Sequence, residues 1–414
     1  MSASLVRGAC PGLSAPMQTG DGLLVRLTPQ GQIAIDACLA LCALARRHGN
    51  GVMEITPRGN VQVRGLTAAS APTFSAAVTD LQIASTCRVP LITNPLDDRE
   101  ALIDACSLAA ELSQAIAESP SALAPKVSVA IDSGGHLHLD DVSADIRLRA
   151  VMSAHGPRLH VAVGGNAHRA QALGVVAPDD AAEVTARLLA VIAARGATAR
   201  ASDILRDHGL TLVKSAVADC LEAAPSPPAR PAAEPIGLHA LRDGRLALGI
   251  GLAFGQADAE ALARLATHAH EHGADTLRPA PGRALLLIGL DEPGVERVTV
   301  AAESLGFITR ADDPRRRIAA CAGKPACASA WLATRAIAAA IADQLPRSNG
   351  GITLHVSGCL KGCAHPAPAA LTIVGDVRGA GIVRDGSAAT APLLYVEPDD
   401  LVAELLQMSE VSHG

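Results

Sequence analysis

The chain has very few aromatic residues and no excess of positive charge. Its 414 residues include one Trp, one Tyr and three Phe, and the formal net charge at pH 7 is -6. Proteins that bind single-stranded nucleic acid stack bases on aromatic side chains, and nucleic-acid-binding surfaces are basic. The composition therefore argues against a nucleic-acid partner, and an anionic ligand would need a local cluster of Arg and Lys.

Long apolar runs are also missing. No apolar segment reaches the roughly 20 residues that span a bilayer. The first residues, MSASLVRGACPG, lack the apolar core of a signal peptide. We therefore expect a cytoplasmic protein with no membrane partner, in which the ten cysteines are poor candidates for disulfides. Six cysteines, Cys10 among them, are scattered, and the other four form two close pairs near the C-terminus.

The chain contains an internal repeat. The Pro- and Ala-rich segment 222–235 disfavours helix and sheet, so we predict a linker there. The stretches before and after it each read strand, helix, strand, turn, strand, and each ends in Gly-Leu, at Gly65-Leu66 and Gly289-Leu290. A larger α/β region follows each copy. The pattern predicts a mixed α/β protein with a pseudo-two-fold repeat.

The two cysteine pairs have the spacing of an iron–sulfur site. Cys321 and Cys327 lie in CAGKPAC, and Cys359 and Cys363 lie in SGCLKGC. A four-iron cluster needs four thiolates directed at one compact cube, and the Gly and Pro residues of these loops permit sharp turns. A helix predicted from Ala328 would place Cys327 at its N-terminus, where the dipole favours a thiolate. Four buried structural cysteines and a zinc site are the alternatives, although zinc favours shorter spacing than the first pair has.

The stretch TPRGNVQVRGL predicts a strand with one polar face. Alternate residues of a strand share a face, so Val61 and Val63 would face the core. The opposite face would carry Arg58, Asn60, Gln62 and Arg64. Because Arg binds carboxylates through paired hydrogen bonds, this face is a candidate site for a ligand with several carboxylates. An ordinary solvated strand face is the alternative.

The second repeat copy lacks such a face, and two other basic residues are candidates. The residues that match the polar positions are Gly282, Ala284, Leu286 and Ile288. One half of the repeat is therefore predicted to be specialised for an anionic ligand. Arg88 and Lys126, both in the region that follows the first copy, are further candidates, and a surface charge is the alternative for each.

The repeat, the TPRGN stretch and the spacing C-x5-C…C-x3-C together resemble the siroheme-dependent sulfite and nitrite reductase superfamily. The resemblance implies ferredoxin-like half-domains, each followed by a larger reductase-like α/β module. The implied boundaries are 1–82 and 83–221 for the first half-domain and module, 222–235 for the linker, and 236–310 and 311–414 for the second pair. It also implies a [4Fe-4S] cluster on Cys321, Cys327, Cys359 and Cys363, with Cys363 bridging to a siroheme iron in the superfamily.

Within the superfamily, TPRGNVQVRGL, DDPRRRIAACAGKPACASA and HVSGCLKGCAHP resemble the precorrin-3B synthase family. That resemblance implies oxygen-dependent hydroxylation and lactone formation on precorrin-3A in aerobic cobalamin biosynthesis. It implies a mononuclear iron beside the cluster and NADH as electron source. No Gly-x-Gly-x-x-Gly stands between a strand and a helix, so an electron-donor reductase is a candidate partner. The predicted contacts to the tetrapyrrole are Arg58, Asn60, Gln62, Arg64, Arg88 and Lys126.

Some roles stay open at this point. His355 and His365 lie near the second cysteine pair, but the spacing identifies no ligand set for the mononuclear iron and no catalytic residue. The reductases usually carry Leu-Pro-Arg-Lys-Phe-Lys in the first module, whereas this chain has LAPKVS at 123–128 and keeps one lysine. A siroheme-dependent sulfite or nitrite reductase is the alternative function, and a non-catalytic tetrapyrrole carrier or electron-transfer protein is a second alternative.

Overall fold

The computed structural model describes residues 11–29, 31–85, 87–118 and 123–405. Cys10 and the outer ends of the first and last predicted domains lie outside these ranges. Within them the chain forms four five-stranded sheets with helices packed on them, so the predicted mixed α/β class is confirmed. No helix in the described part of the chain combines the length and apolarity needed to cross a bilayer.

The elements follow the predicted repeat. The first copy contains β1 (Met17–Thr19), β2 (Gly22–Leu27), β3 (Ile33–Ala34), α1 (Ile35–His48), β4 (Val52–Ile55), β5 (Val61–Leu66) and α2 (Ser70–Asp80). The region after it contains β6 (Leu91–Thr93), α3 (Ala105–Glu118), β7 (Val129–Asp132), β8 (Ala144–Ser153), β9 (Gly156–Gly165), β10 (Gln171–Val176), α4 (Ala181–Ala193), α5 (Ala201–His208) and α6 (Thr211–Ser215).

The second half repeats this order. The second copy contains β11 (Gly237–Ala240), β12 (Leu246–Gly251), β13 (Gln256–Asp258), α7 (Ala259–Glu271), β14 (Thr276–Ala280), β15 (Ala284–Leu290) and α8 (Glu292–Ser304). The last region contains β16 (Ile318–Ala320), α9 (Thr334–Ala342), β17 (Leu354–Ser357), β18 (Ala369–Asp376), β19 (Gly379–Gly386) and β20 (Leu394–Val396).

The two repeat copies exchange edge strands. The first repeat sheet has the order β1-β2-β5-β4-β13, and the second repeat sheet has the order β11-β12-β15-β14-β3. Thus β13 of the second copy pairs with β4, and β3 of the first copy pairs with β14. Residues of both copies also share one apolar core, in which Val63, Leu41, Leu265 and Leu287 are all buried. The exchange and the common core fix the two copies rigidly against each other.

The outer faces of the two repeat sheets differ as predicted. In the second repeat sheet Ala284, Leu286 and Ile288 are buried in a small apolar cluster with Leu96 and Leu137 of the region after the first copy. In the first repeat sheet the corresponding face carries Arg and amide side chains, described below. One face therefore joins the halves by apolar packing, and the other stays polar.

Two local predictions were wrong. Strand β5 begins at Val61, so Arg58 and Asn60 lie in the turn that precedes it and not on the strand. The backbone amide of Asn60 donates to the side-chain Oγ1 of Thr56 at 3.0 Å, and this bond favours a turn over an extended chain. Helix α9 begins at Thr334, so Cys327 does not stand at a helix N-terminus.

Candidate functional site

Parallel pairing brings two of the four cysteines together. Strands β16 and β17 are parallel, with Ala320 opposite Val356. Cys321 follows β16 directly, and Cys359 lies two residues beyond the end of β17. Because the carboxyl ends of parallel strands meet at one sheet edge, both cysteines lie there. The amide of Gly358 donates to Cys321 Sγ at 3.2 Å, a contact that stabilises a thiolate.

Backbone hydrogen bonds within and between the loops position Cys327. The amide of Cys327 donates to Gly323 O, and that of Trp331 donates to Gly358 O, both at 2.8 Å. Gly323 has φ +63°, and a Cβ there would lie 2.3 Å from Thr334 Oγ1, so only glycine fits this turn. In a helix beginning at Ala328 the Trp331 amide would bond to Cys327 O, so its bond to Gly358 O is incompatible with that helix and favours the late start of α9 at Thr334.

The four cysteine sulfurs influence one another electrostatically. Burial raises the pKa of the Cys363 thiol, and the charges of Cys321, Cys359 and Cys327 raise it further, while Lys361 lowers it. None of the four forms a disulfide. Among the described residues, no group of three or more His, Cys, Asp or Glu side chains is close enough to hold a single metal ion. The mutual influence of the four sulfurs, which raises the pKa of the Cys363 thiol, is a feature that a multi-iron cluster would explain, because its iron cations offset the charge of four thiolates.

The first repeat copy covers this centre. Gly20, in the turn between β1 and β2, accepts a hydrogen bond from the amide of Ala328 at 2.9 Å. A Cβ at Gly20 would lie 2.2 Å from Cys327 Sγ, so the turn packs directly on the sulfur. The next residue, Asp21, is bound to Arg64 of β5. The cysteine loops of the second half and the polar face of the first repeat sheet thus meet at this turn.

The guanidinium of Arg64 is bound by two carboxylates of the protein itself. Its Nε and NH2 atoms donate to the two carboxylate oxygens of Asp21 at 2.7 Å, and NH1 donates to Glu54 at 3.1 and 3.2 Å. The side chain of Asp21 is only 2% exposed. Burial alone would raise the pKa of Asp21, but the hydrogen bonds and charge of Arg64 bring it below the ordinary value. Arg64 therefore holds a buried ion triad at the edge of the site.

A row of four polar residues crosses the first repeat sheet. Arg26, Gln62, Glu54 and Gln256 are cross-strand neighbours on β2, β5, β4 and β13, and we call them the polar row. With its amide oriented to satisfy both groups, Gln62 donates to Glu54 Oε2 at 2.7 Å and accepts from Arg26 NH2 at 2.7 Å. Gln256 Nε2 also donates to Glu54. The predicted polar face thus exists, and Gln62 and Arg64 belong to it.

Arg58 and Asn60 lie where the two repeat copies touch. Arg58 forms an isolated bridge with Pro281, and the amide of Gly282 donates to Pro57 O at 3.1 Å. The turns before β5 and β15 therefore contact each other. Arg58 is exposed at this contact, which leaves its guanidinium accessible to a ligand.

The structure does not connect the other two predicted basic residues with the cysteine loops. Arg88 is exposed, and its NH2 donates to Ile116 O at 2.7 Å, in the last turn of α3. Lys126 lies in an exposed turn before β7. Neither has a described contact with the polar row or with the cysteines, so their assignment to the ligand stays a prediction.

Sequence reasoning missed two arginines at the site. Arg283, in the turn before β15 with φ +63°, donates to Ala364 O at 3.4 Å, beside Cys363. Burial lowers the pKa of Arg283, while the charge of Glu54 raises it. Arg335, in the first turn of α9, also has a pKa lowered by burial, and the charges that act on it include those of Glu54 and Arg64. Arg335 is the only charged residue between Lys324 and Asp343, which is the one signal that the sequence offers.

His355 is the third feature that reasoning from the sequence did not resolve. It is fully buried on β17, and neither ring nitrogen has a hydrogen-bond partner. Its ring lies edge-on to that of His365, with 5.8 Å between the centroids. Burial and the charges of His365 and Arg283 lower the pKa of His355 to about 4, so this ring is neutral at pH 7.

Comparisons with known proteins agree with this architecture. The ferredoxin-like half domain of nitrite and sulfite reductases matches residues 15–81. The precorrin-3B synthase of a Sinorhizobium species is 39% identical over 415 residues, which cover 99% of this chain and 89% of that protein. The chain belongs to the precorrin-3B synthase family. This finding confirms the predicted family and the prediction of an enzyme.

The chain is also similar to sulfite reductases. Sulfite reductase [ferredoxin] 2 of Mycolicibacterium paratuberculosis is 24% identical over 384 residues, covering 84% of this chain and 68% of that protein. The structure of the Mycobacterium tuberculosis NirA protein superposes with a TM-score of 0.72 at 19% identity, covering 92% of this chain and 79% of that one. These likenesses confirm the predicted fold, with its ferredoxin-like half-domain.

Proposed function

We propose that this chain converts precorrin-3A to precorrin-3B in cobalamin biosynthesis, by oxygen-dependent hydroxylation and lactone formation. The observation that carries the proposal is the full-length similarity to a precorrin-3B synthase. The site supports it, because a polar face with several arginines lies against a four-cysteine centre. Precorrin-3A carries acetate and propionate groups around its ring, and these carboxylates are the groups that Arg recognises through paired hydrogen bonds.

We assign the [4Fe-4S] cluster to Cys321, Cys327, Cys359 and Cys363. When bound, such a cluster supplies single electrons to the reaction. The Gly358 amide, which already donates to Cys321 Sγ at 3.2 Å, would stabilise the thiolate form that the cluster requires. The described residues offer no three-donor group for a separate mononuclear iron, so we assign no step to one.

The protein's own residues hold and orient the substrate. Arg58, exposed at the contact between the repeat copies, binds one substrate carboxylate as a planar fork. The neighbouring Asn60 and the Gln62 of the polar row contribute amide hydrogen bonds. Arg64 acts indirectly in this proposal, because its ion pairs with Asp21 and Glu54 fix the wall of the site. Arg88 and Lys126 remain predicted contacts to other substrate carboxylates in this proposal.

The remaining parts of the proposal concern the electron source and the compartment. We propose that NADH supplies the electrons through a reductase partner, and that the enzyme works in the cytoplasm. A siroheme-dependent sulfite or nitrite reductase is the second candidate, favoured by the 24% identity to a sulfite reductase. The single lysine of LAPKVS disfavours it, since an inorganic dianion would need more positive charge close by.

One experiment distinguishes the two candidates. Anaerobically isolated protein is mixed with precorrin-3A, a reductant and oxygen labelled with ¹⁸O, and the product is analysed by mass spectrometry. Label in the product's new hydroxyl group supports precorrin-3B synthesis. A siroheme absorption band together with sulfite turnover driven by reduced methyl viologen, without labelled product, would instead identify a reductase.

A variant tests the role of Arg58. Arg58→Ala should raise KM for precorrin-3A about tenfold or more and leave the iron content unchanged, because the exposed guanidinium contacts substrate alone. Arg46→Ala is the control, since Arg46 pairs only with exposed Glu260 on the surface. Loss of the cluster in Arg58→Ala would show that Arg58 is structural.

A further inference from the structure

Arg335 has hydrogen-bond donors that nothing in the described chain accepts. Its Nε and NH2 atoms are buried and have no hydrogen-bond partner. A buried donor without an acceptor costs about 1–3 kcal/mol, and more when it is charged. Such a group is rare in a folded protein and calls for an acceptor that the polypeptide does not supply.

The two unpartnered atoms lie on one edge of the guanidinium. The Nε–H and one N–H of NH2 point in parallel from this edge, and a single carboxylate accepts both. Arg64 binds Asp21 through the same two atoms at 2.7 Å each, so this site already contains one such pair within the protein. The open edge of Arg335 is thus matched to one carboxylate.

The charged neighbours of Arg335 are already engaged elsewhere. The charges that act on it are those of Glu54, Arg64, Asp21 and Cys321. Asp21 and Glu54 are bound to Arg64, and Glu54 also accepts from Gln256. None of these carboxylates bonds the open edge of Arg335, although they place it between the cysteine loops and the polar face.

Compensation of cluster charge is the competing explanation, because Arg335 is near Cys321. However, Cys321 Sγ already accepts from the Gly358 amide at 3.2 Å, and Thr334 Oγ1 lies 3.9 Å from it. The charges of Glu54, Arg64 and Asp21 act on Arg335 along with that of Cys321, so Arg335 lies between the polar face and the cysteine loops.

We propose that Arg335 binds one carboxylate of the tetrapyrrole substrate, on the cluster side of the polar face. This inference rests on the proposed function and adds a substrate-binding residue to it. With Arg58 at the contact between the repeat copies and Arg335 beside the cysteine loops, the substrate is held from two sides. Two separate carboxylate contacts fix the orientation of the ring as well as its position.

The test uses the cluster-loaded full-length protein and uroporphyrin I, a stable tetrapyrrole with carboxylates around its ring. Binding is followed anaerobically by the shift of the porphyrin absorption band. Arg335→Met should weaken binding about 10- to 100-fold, the range expected for a lost hydrogen-bonded carboxylate contact. Arg335→Lys should recover part of the affinity because it keeps the charge. Arg264→Met, at an exposed position on α7, should bind like the wild type.

The possible results separate the two explanations of Arg335. Unchanged uroporphyrin affinity in Arg335→Met, with a shifted reduction potential of the cluster, would overturn the inference and assign the charge to the cluster. If Arg335→Met fails to fold, Arg335→Lys is compared with the wild type instead. Equal affinities for uroporphyrin I and equal rates of dissociation would then count against a paired carboxylate contact. Failure of the wild type to bind either uroporphyrin I or precorrin-3A would contradict the proposed function itself.

Discussion

Replacing Arg64 by Met tests whether this residue is structural or binds the ligand. The substitution would leave Asp21 and Glu54 without their cation, and their side chains are only 2% and 13% exposed. Removing one partner of a buried ion pair typically costs about 3–5 kcal/mol, because the remaining charge stays buried without compensation. We therefore expect Arg64→Met to lower the free energy of unfolding by about this amount at pH 7.

The pH dependence gives the same prediction a second readout. In the wild type, Arg64 lowers the pKa of Asp21 below 3.8, so this stabilisation is present at neutral pH and is lost as the pH falls through the lowered value. Without Arg64, burial raises the pKa of Asp21, and the carboxyl takes up a proton at higher pH. The difference in stability between wild type and variant should therefore narrow as the pH falls from about 7 to about 4.

Urea unfolding followed by circular dichroism measures both effects. Arg46→Met is the matched control, because Arg46 and Glu260 form an exposed pair worth about 0–1 kcal/mol. The double variant Asp21→Asn/Arg64→Met should recover part of the loss, since it removes one stranded charge. If Arg64→Met were as stable as Arg46→Met but bound uroporphyrin I much more weakly, the structural role would be refuted and the residue would be a ligand contact.

Two further predictions concern the cysteine centre. Gly20→Val should reduce the iron bound per chain, because a Cβ at this position would lie 2.2 Å from Cys327 Sγ. Gly12→Val is the control and should keep the iron, because a Cβ at Gly12 would have no atom within 4 Å. Equal iron in both variants would contradict the packing of the turn on the sulfur. Burial lowers the pKa of His355 from 6.5 to about 4 in the folded protein, so the unfolded chain binds a proton at this residue more readily. The free energy of unfolding is therefore unaffected by this residue above pH 6.5 and falls by up to about 3 kcal/mol as the pH approaches 4. His355→Leu should unfold in urea with a smaller difference between these pH values than the wild type, and an unchanged difference would show that another group titrates.

The sequence predicted the repeat because it is a local pattern, in which the matching Gly-Leu ends mark two copies of one unit. The spacing within CAGKPAC and SGCLKGC is local too, and the cluster that it predicts on the four cysteines stays a prediction. Gln62 and Arg64 were also found, since strand alternation holds from Val61 onward. Each of these inferences needed information from only a few neighbouring residues.

The failures have a common physical cause, which is long-range contact. Nothing near Ala328 in the sequence reveals that its amide bonds to Gly20 O, about 300 residues away, or that the Trp331 amide bonds to Gly358 O and is therefore lost to a helix that would begin at Ala328. The exchange of β3 and β13 between the repeat copies is equally invisible to local patterns. Arg335 was missed for the same reason, because its significance comes from Glu54 and Arg64 in the other half.

The iron and acid-labile sulfide content of the anaerobically isolated protein tests the central claim most directly. The account predicts about four of each per chain, with the electron paramagnetic resonance signal of a reduced cubane cluster. Replacing Cys321, Cys327, Cys359 or Cys363 by Ala should abolish the signal, whereas Cys106→Ala, at an exposed site on α3, should keep it. One tightly bound zinc ion per chain, or a cluster that survives replacement of these four cysteines, would contradict the account.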